Sequence, residues 1–124
     1  MHKEPTQIKG LFGEELVVAM IKNDGFTIRA RNFKRLCGEI DIIAMKEKLL
    51  IFIEVKMRTS DTVDLGELIG FSKKRKIIAT AHLFLSEQYD SYYDCVCRFD
   101  VALITVIQGK PEISYVKNAF FENE

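Results

Sequence analysis

A chain of 124 residues, 48% hydrophobic and 29% charged, has the makeup of one folded domain over residues 1–124 and excludes a disordered linker. Eighteen basic residues balance eighteen acidic ones, so any nucleic-acid surface must come from local clustering rather than net charge. No apolar run approaches the ~20 residues a bilayer span needs, which predicts no membrane association. The start of the chain has no signal-peptide core, so a cytoplasmic location with three reduced cysteines is expected.

A first helix is expected from Thr6, a cap candidate after Pro5, to about Asn23, with Gly25 as its stop. Its apolar residues, among them Ile8, Leu11, Phe12, Val17, Val18 and Ile21, cover more than half the circumference, which predicts packing on several sides. Glu14 falls on the face of Leu11, Val18 and Ile21, an odd seat for a carboxylate, though spacing alone favours a solvated boundary residue. Gly10 and Gly13 flank it, each costing ~1 kcal/mol against Ala in a helix interior, and suggest a close backbone approach.

Residues 26–33 alternate as a half-exposed strand with Arg29 and Arg31 on its outward face, and residues 34–38 turn the chain. Residues 38–43 and 51–56 read as two further strands joined by a turn at 46–48, completing an antiparallel meander. Strand alternation places Glu39, Asp41 and Ile43 on one face of the first. On the second it places Phe52, Glu54, Lys56 and Arg58 together. Charges inside apolar strands cost several kcal/mol, roughly, when unpaired. Asp41, Glu54 and Lys56 therefore pair with one another, hold a metal, or do both.

Residues 59–66 read as a polar loop, and a second helix is expected from Leu68 or Ser72 to Glu87, with Ile77, Ile78, Ala81, Phe84 and Leu85 inward. If it begins at Ser72, the block Lys73, Lys74, Arg75 and Lys76 opposes the helix dipole, an arrangement suited to an arriving phosphate. If it begins nearer Gly66, the block is an ordinary basic face. His82 reads as a core or boundary imidazole, and Tyr89, Tyr92 and Tyr93 as a loop cluster. Residues 97–107 form a nearly continuous apolar run, expected as a buried strand beside the Glu54 strand after a crossover. Arg98 and Asp100 are expected to pair. Residues 112–116 make a short edge strand, and 118–121 pack as a tail.

Two carboxylates on adjacent strands lie ~5 Å apart at Cβ if the register permits. They repel unless a cation intervenes, and oxygen ligands alone suit Mg²⁺ or Mn²⁺. Lys56 projects from the same face, placed to orient a water or meet charge developing on phosphorus.

The order Asp41, then Glu54-x-Lys56, resembles the PD-(D/E)xK nuclease core. The longer set Gly13-Glu14, Arg31-Asn32, Gly38-Glu39-Ile40-Asp41, Phe52-Ile53-Glu54-Val55-Lys56-x-Arg58, Lys73, Arg98-Phe99-Asp100-Val101 and Asn118-Ala119-Phe120 resembles the YraN-like (UPF0102) family. The family pattern has Pro before its basic-helix Lys, where this chain has Phe71-Ser72. The resemblance implies a restriction-endonuclease-like three-layer α/β core, ordered α-β-β-β-α-β-β, with a mixed central sheet. By likeness to archaeal Holliday-junction resolvases, it implies a site of Glu14, Asp41, Glu54 and Lys56, and lifts Glu14 from boundary residue to candidate ligand. Asp41, Glu54 and Glu14 would hold Mg²⁺ or Mn²⁺. The implied activity is hydrolysis of DNA phosphodiesters, with branched DNA a candidate substrate and a homodimer the candidate assembly. Arg29, Arg31, Lys34, Arg58, Lys73, Lys74, Arg75 and Lys76 are candidate phosphate contacts. The alternative is a non-catalytic nucleic-acid-binding or DNA-processing adaptor that retains the fold.

Overall fold

Helix α1 (Pro5–Asn23) leads into strands β1 (Thr27–Arg35), β2 (Gly38–Lys46) and β3 (Leu49–Arg58) of the computed structural model. Helices α2 (Phe71–Glu87) and α3 (Tyr89–Tyr92) and strands β4 (Val96–Ile107) and β5 (Lys110–Phe120) follow. The structure describes residues 5–58 and 69–122, with side chains from Phe12 onward in the first segment. α1 begins at Pro5, so Thr6 lies within the helix and not at its cap, and α2 begins at Phe71, beside Ser72 and not at Leu68. The expectations for the side chains of Ile8 and Leu11, for a close approach at Gly10 and for the 59–66 loop lie outside the described residues.

The strands form one sheet in the order β1-β2-β3-β4-β5. The first three make the expected meander, β4 runs parallel to β3, and β5 returns antiparallel, so the sheet is mixed. Two apolar layers enclose it. Val17, Val18 and Ile21 of α1 pack on Ile42, Ala44, Ile51, Ile53 and Ile104, while Ile77, Ala81 and Phe84 of α2 pack on Ile40, Ile43, Leu50, Phe52 and Leu103. Each of these large side chains contributes ~1.5–3 kcal/mol on burial, and their two-sided distribution across β3 and β4 makes those strands the centre of the fold.

α1 ends where expected: Gly25 adopts φ +94, which a side chain would strain, and its N–H donates to the Lys22 carbonyl. Only part of its predicted apolar circumference is buried, since Phe12 is exposed and the packed stripe runs through Val17, Val18 and Ile21. At Gly13 a Cβ would lie 2.6 Å from Ile104 Cδ1 and 3.0 Å from Met57 Sδ, so the absent side chain is what lets α1 settle onto β3 and β4.

β1 departs from simple alternation. Its register against β2 shifts between Ile28 and Ala30, so that Ile28 packs toward α1 and Ala30 toward α2. Arg29 and Arg31 consequently turn to opposite faces rather than sharing one. Arg29 Nε donates to the Tyr92 hydroxyl at 2.7 Å, while Arg31 pairs with Glu15 of α1 at 2.7 Å. Towards the C-terminus, β5 is longer than expected: residues 118–120 belong to the strand, with Asn118 at φ +52 and Phe120 buried against Phe99. Asp100 secures that end. It is fully buried, receives Arg98 and the Tyr115 hydroxyl, and accepts the Asn118 N–H at 3.0 Å. His82 lies on the surface rather than in the core and pairs with Glu122. Among the described residues, no helix is long and apolar enough to cross a membrane.

Candidate active site

Ile42 pairs with Ile53 as the last rung between β2 and β3, and continuing that register would set Asp41 opposite Glu54. The strands part instead. Asp41 fills the gap, its Oδ2 accepting the Val55 N–H at 2.8 Å, a bond the ladder would otherwise have made with backbone. The sheet changes face at the same rung: Ile40 and Ile43, three residues apart, both pack toward α2, whereas Ile42 packs toward α1. Across the ladder, Asn32 takes φ +50, a conformation asparagine tolerates better than most residues. Asp41 sits in the fork between the strands, where it lines a cavity on the α2 side with Glu54, the side on which Ile43 also packs.

Glu54 follows the alternation rule. With Phe52 inward toward α2, Glu54 faces the same helix, is 7% exposed, and accepts the Lys73 ammonium at 2.7 Å. That hydrogen bond raises the Lys73 pKa above its ordinary value. Lys73 reaches Glu54 because α2 begins at Phe71, with Gly70 before it offering no side-chain cap and no acid in the first turn. The basic block thus occupies the first two turns. Gly38, Glu39, Asp41, Glu54, Gly70, Ser72, Lys73, Lys76 and Ile77 line a cavity of about 450 Å³.

Glu14 approaches Asp41 from the α1 side. Its side chain is half-buried, but Oε1 is enclosed without a hydrogen-bond partner. Burial first, then the Asp41 charge, raise its pKa, with Arg31 opposing them. Asp41 itself is pushed up to about 7, chiefly by burial and next by the Glu54 charge, against which the Val55 N–H and Lys73 offer partial relief. Three carboxylates thus surround one fork, with Lys73 compensating on the Glu54 side and Arg31 on the Glu14 side. Among the described residues no three acidic, imidazole or thiol side chains form a ready-made metal site.

The remaining candidates divide. Lys56 is exposed beyond Glu54 and does not line the cavity. Arg58 is partly buried, its Nε donating to Thr105 Oγ1 at 2.6 Å. Arg29 and Arg31 carry the partners described above, and Lys34 is exposed on β1. Lys76 borders the cavity, whereas Lys74 and Arg75 lie on the other flank of α2. The fork at Asp41 and the Glu54–Lys73 pair were not readable from spacing; Gly38 and Gly70, which border the cavity, were the available signal. Gly38 has φ +157 and approaches Lys76 and Thr80 of α2, so a side chain there would press on the helix that carries Lys73.

A family model described as "Uncharacterised protein family UPF0102" matches residues 13–104. A UPF0102 protein of Clostridium perfringens strain 13 is 38% identical over 114 residues, covering 90% of this chain and 92% of its own. One from Clostridium botulinum strain Hall is 39% identical over 116 residues with the same coverage. Among solved structures, the crystal structure of SSO0001 aligns with 97% of this chain at 18% identity and a TM-score of 0.46. This chain spans 55% of that one.

Proposed function

We propose, for a chain that belongs to the UPF0102 family, that the fork at Asp41 is the active site of a metal-dependent nuclease acting on DNA phosphodiesters, with branched DNA the candidate substrate. The observation that carries the reading is the excess of carboxylate at one point. Asp41, held in the sheet by the Val55 N–H, is flanked by buried Glu54 and by Glu14 with an unpartnered oxygen. Structural ion pairs balance their charges, as Arg98 and Asp100 do at the other end of the sheet. This site leaves a surplus of negative charge that a hard divalent cation would absorb.

The donor set fits Mg²⁺ or Mn²⁺: oxygen ligands only, with Asp41 and Glu54 as the holding pair and Glu14 to complete or steer the shell. Such an ion would supply Lewis-acid polarisation of a phosphoryl oxygen and a more acidic bound water. The chain's own residues do the rest. Lys73 and Lys76, on an uncapped helix start, receive the phosphate, where their charge and the free N–H groups of the first turn act together. Lys73 leaves Glu54 as it does so, exchanging a carboxylate for a phosphate oxygen. Lys56, on the Glu54 face, donates from its ammonium to the oxygen of the attacking water and so orients it. Two such sites are needed to cut both strands of a junction, which makes a symmetric dimer the working assembly.

A second reading is favoured by the Lys73–Glu54 ion pair, which already neutralises one of the carboxylates. In it the protein is a nucleic-acid-binding adaptor that keeps the fold without cutting. The deciding experiment is Mn²⁺ binding by calorimetry together with a cleavage screen over linear, flapped and four-way DNA. Metal binding and metal-dependent nicking, both lost in Asp41→Ala, are expected. Salt-sensitive DNA binding with neither metal binding nor cleavage would replace the nuclease with the adaptor.

A further inference from the structure

The two flanks of α2 differ in kind. Ser72, Lys73, Lys76 and Ile77 face the carboxylate cavity, whereas Phe71, Lys74, Arg75, Ile78 and His82 line a second cavity of about 420 Å³. At 100° per residue these two sets occupy opposite sides of the helix. The second cavity is closed on its far side by Phe121 and Glu122, which follow β5.

Its walls are unusual for a surface. Phe71 is 65% exposed and Phe121 57%. The Arg75 guanidinium stands 5.6 Å from the centroid of the exposed Phe71 ring, while the Lys74 ammonium stands 5.9 Å from that of Phe120, a buried ring stacked on Phe99, so Phe71 is the exposed ring with a cation beside it. Exposed ring faces combined with cations are the chemistry that grips an unpaired nucleotide, the ring stacking on the base and the cation meeting the phosphate or the base's π face. A duplex offers neither an open base nor the flexibility to enter. Glu122 is hydrogen-bonded to His82 on this wall, and its single carboxylate is outnumbered by the Lys74 and Arg75 cations of the same cavity.

We infer that this cavity is a subsite for an unpaired nucleotide of single-stranded DNA, on a strand that continues over the start of α2 into the carboxylate cavity. The inference rests on the nuclease reading for the strand's destination. It narrows the substrate class to DNA with a single-stranded arm. A helix is about 10–12 Å across with its side chains, a distance a few nucleotides of extended strand can cover. Along that path the strand meets Lys74 and Arg75 on one flank and Lys73 and Lys76 on the other, with the acid-free first turn between them.

The chain contains no tryptophan, so Phe71→Trp introduces a single indole reporter at the cavity wall. The test uses the full chain in EDTA, where no metal-dependent cutting occurs, with labelled oligo(dT) and a blunt duplex of equal length as probes. Anisotropy should show oligo(dT) binding, and the F71W indole should be quenched as that binding saturates but not when duplex is added. F71A and F121A should weaken oligo(dT) binding roughly 5- to 30-fold, with F71Y retaining it because a π face remains. Oligo(dT) that fails to bind, that binds without quenching, or that is lost no more than duplex in F71A and F121A overturns the subsite. Cleavage by the wild type with an unquenched F71W indole would overturn the subsite and leave the nuclease standing. Quenching in a protein that never cuts would do the reverse.

Discussion

Asp41→Asn should stabilise the metal-free protein, and the size of the gain follows from the charge it removes. The Asp41 carboxyl is raised from an ordinary value near 3.8 to about 7 by burial and by Glu54, with Glu39 adding to it and Lys73 opposing. Because the native state holds its proton more tightly than the unfolded chain, stability is full below about pH 4, declines as pH rises, and reaches its lower plateau above about pH 7. The full shift corresponds to a ceiling of ~4 kcal/mol, at about 1.4 kcal/mol per pH unit. Rearrangement of Lys73 and solvent entry reduce this, and about 2 kcal/mol is the expected gain. Asparagine keeps an oxygen for the Val55 N–H, so the fork itself is retained. Urea unfolding in EDTA should show wild type and variant nearly equal at pH 4 and the variant ahead by about 2 kcal/mol at pH 8, roughly 6–10 °C in Tm. Mn²⁺ should reverse the order, since only the wild type gains from the ion. A variant no more stable than wild type at pH 8, or a difference independent of pH, would refute the reasoning.

Lys73→Met removes the cation that competes for Glu54. Calorimetry should find Mn²⁺ bound several-fold more tightly, and metal-free stability lower by ~1–3 kcal/mol because a buried carboxylate loses its partner. Asp100→Ala leaves Arg98, Tyr115 and the Asn118 N–H without their acceptor and should cost ~3–5 kcal/mol in urea unfolding, with Mn²⁺ affinity per folded molecule unchanged. Gly13→Val forces atoms into Ile104 and Met57 and should lower stability by ~2–3 kcal/mol, a loss measurable as a shift in Tm. Arg35→Ala breaks an exposed pair with Glu87 and should change stability by less than ~1 kcal/mol.

Local periodicity determined much of this protein. Helix α1 and its glycine stop, the three-strand meander and the shared face of Phe52 and Glu54 follow from side chains that repeat every 3.6 or 2 positions. Those periods are set by the backbone itself. β4 beside β3 follows from its continuous apolar run after a crossover. Only tertiary structure decided where alternation fails. The bulge near Arg29 sends Arg29 and Arg31 to opposite faces, and the parting of β2 from β3 turns Asp41 into the gap. Neither can be read along one strand, because each depends on which backbone groups the neighbouring strand leaves unpaired. The Lys73–Glu54 contact and the enclosed oxygen of Glu14 are likewise products of packing, formed by two helices approaching one fork from opposite sides of the sheet.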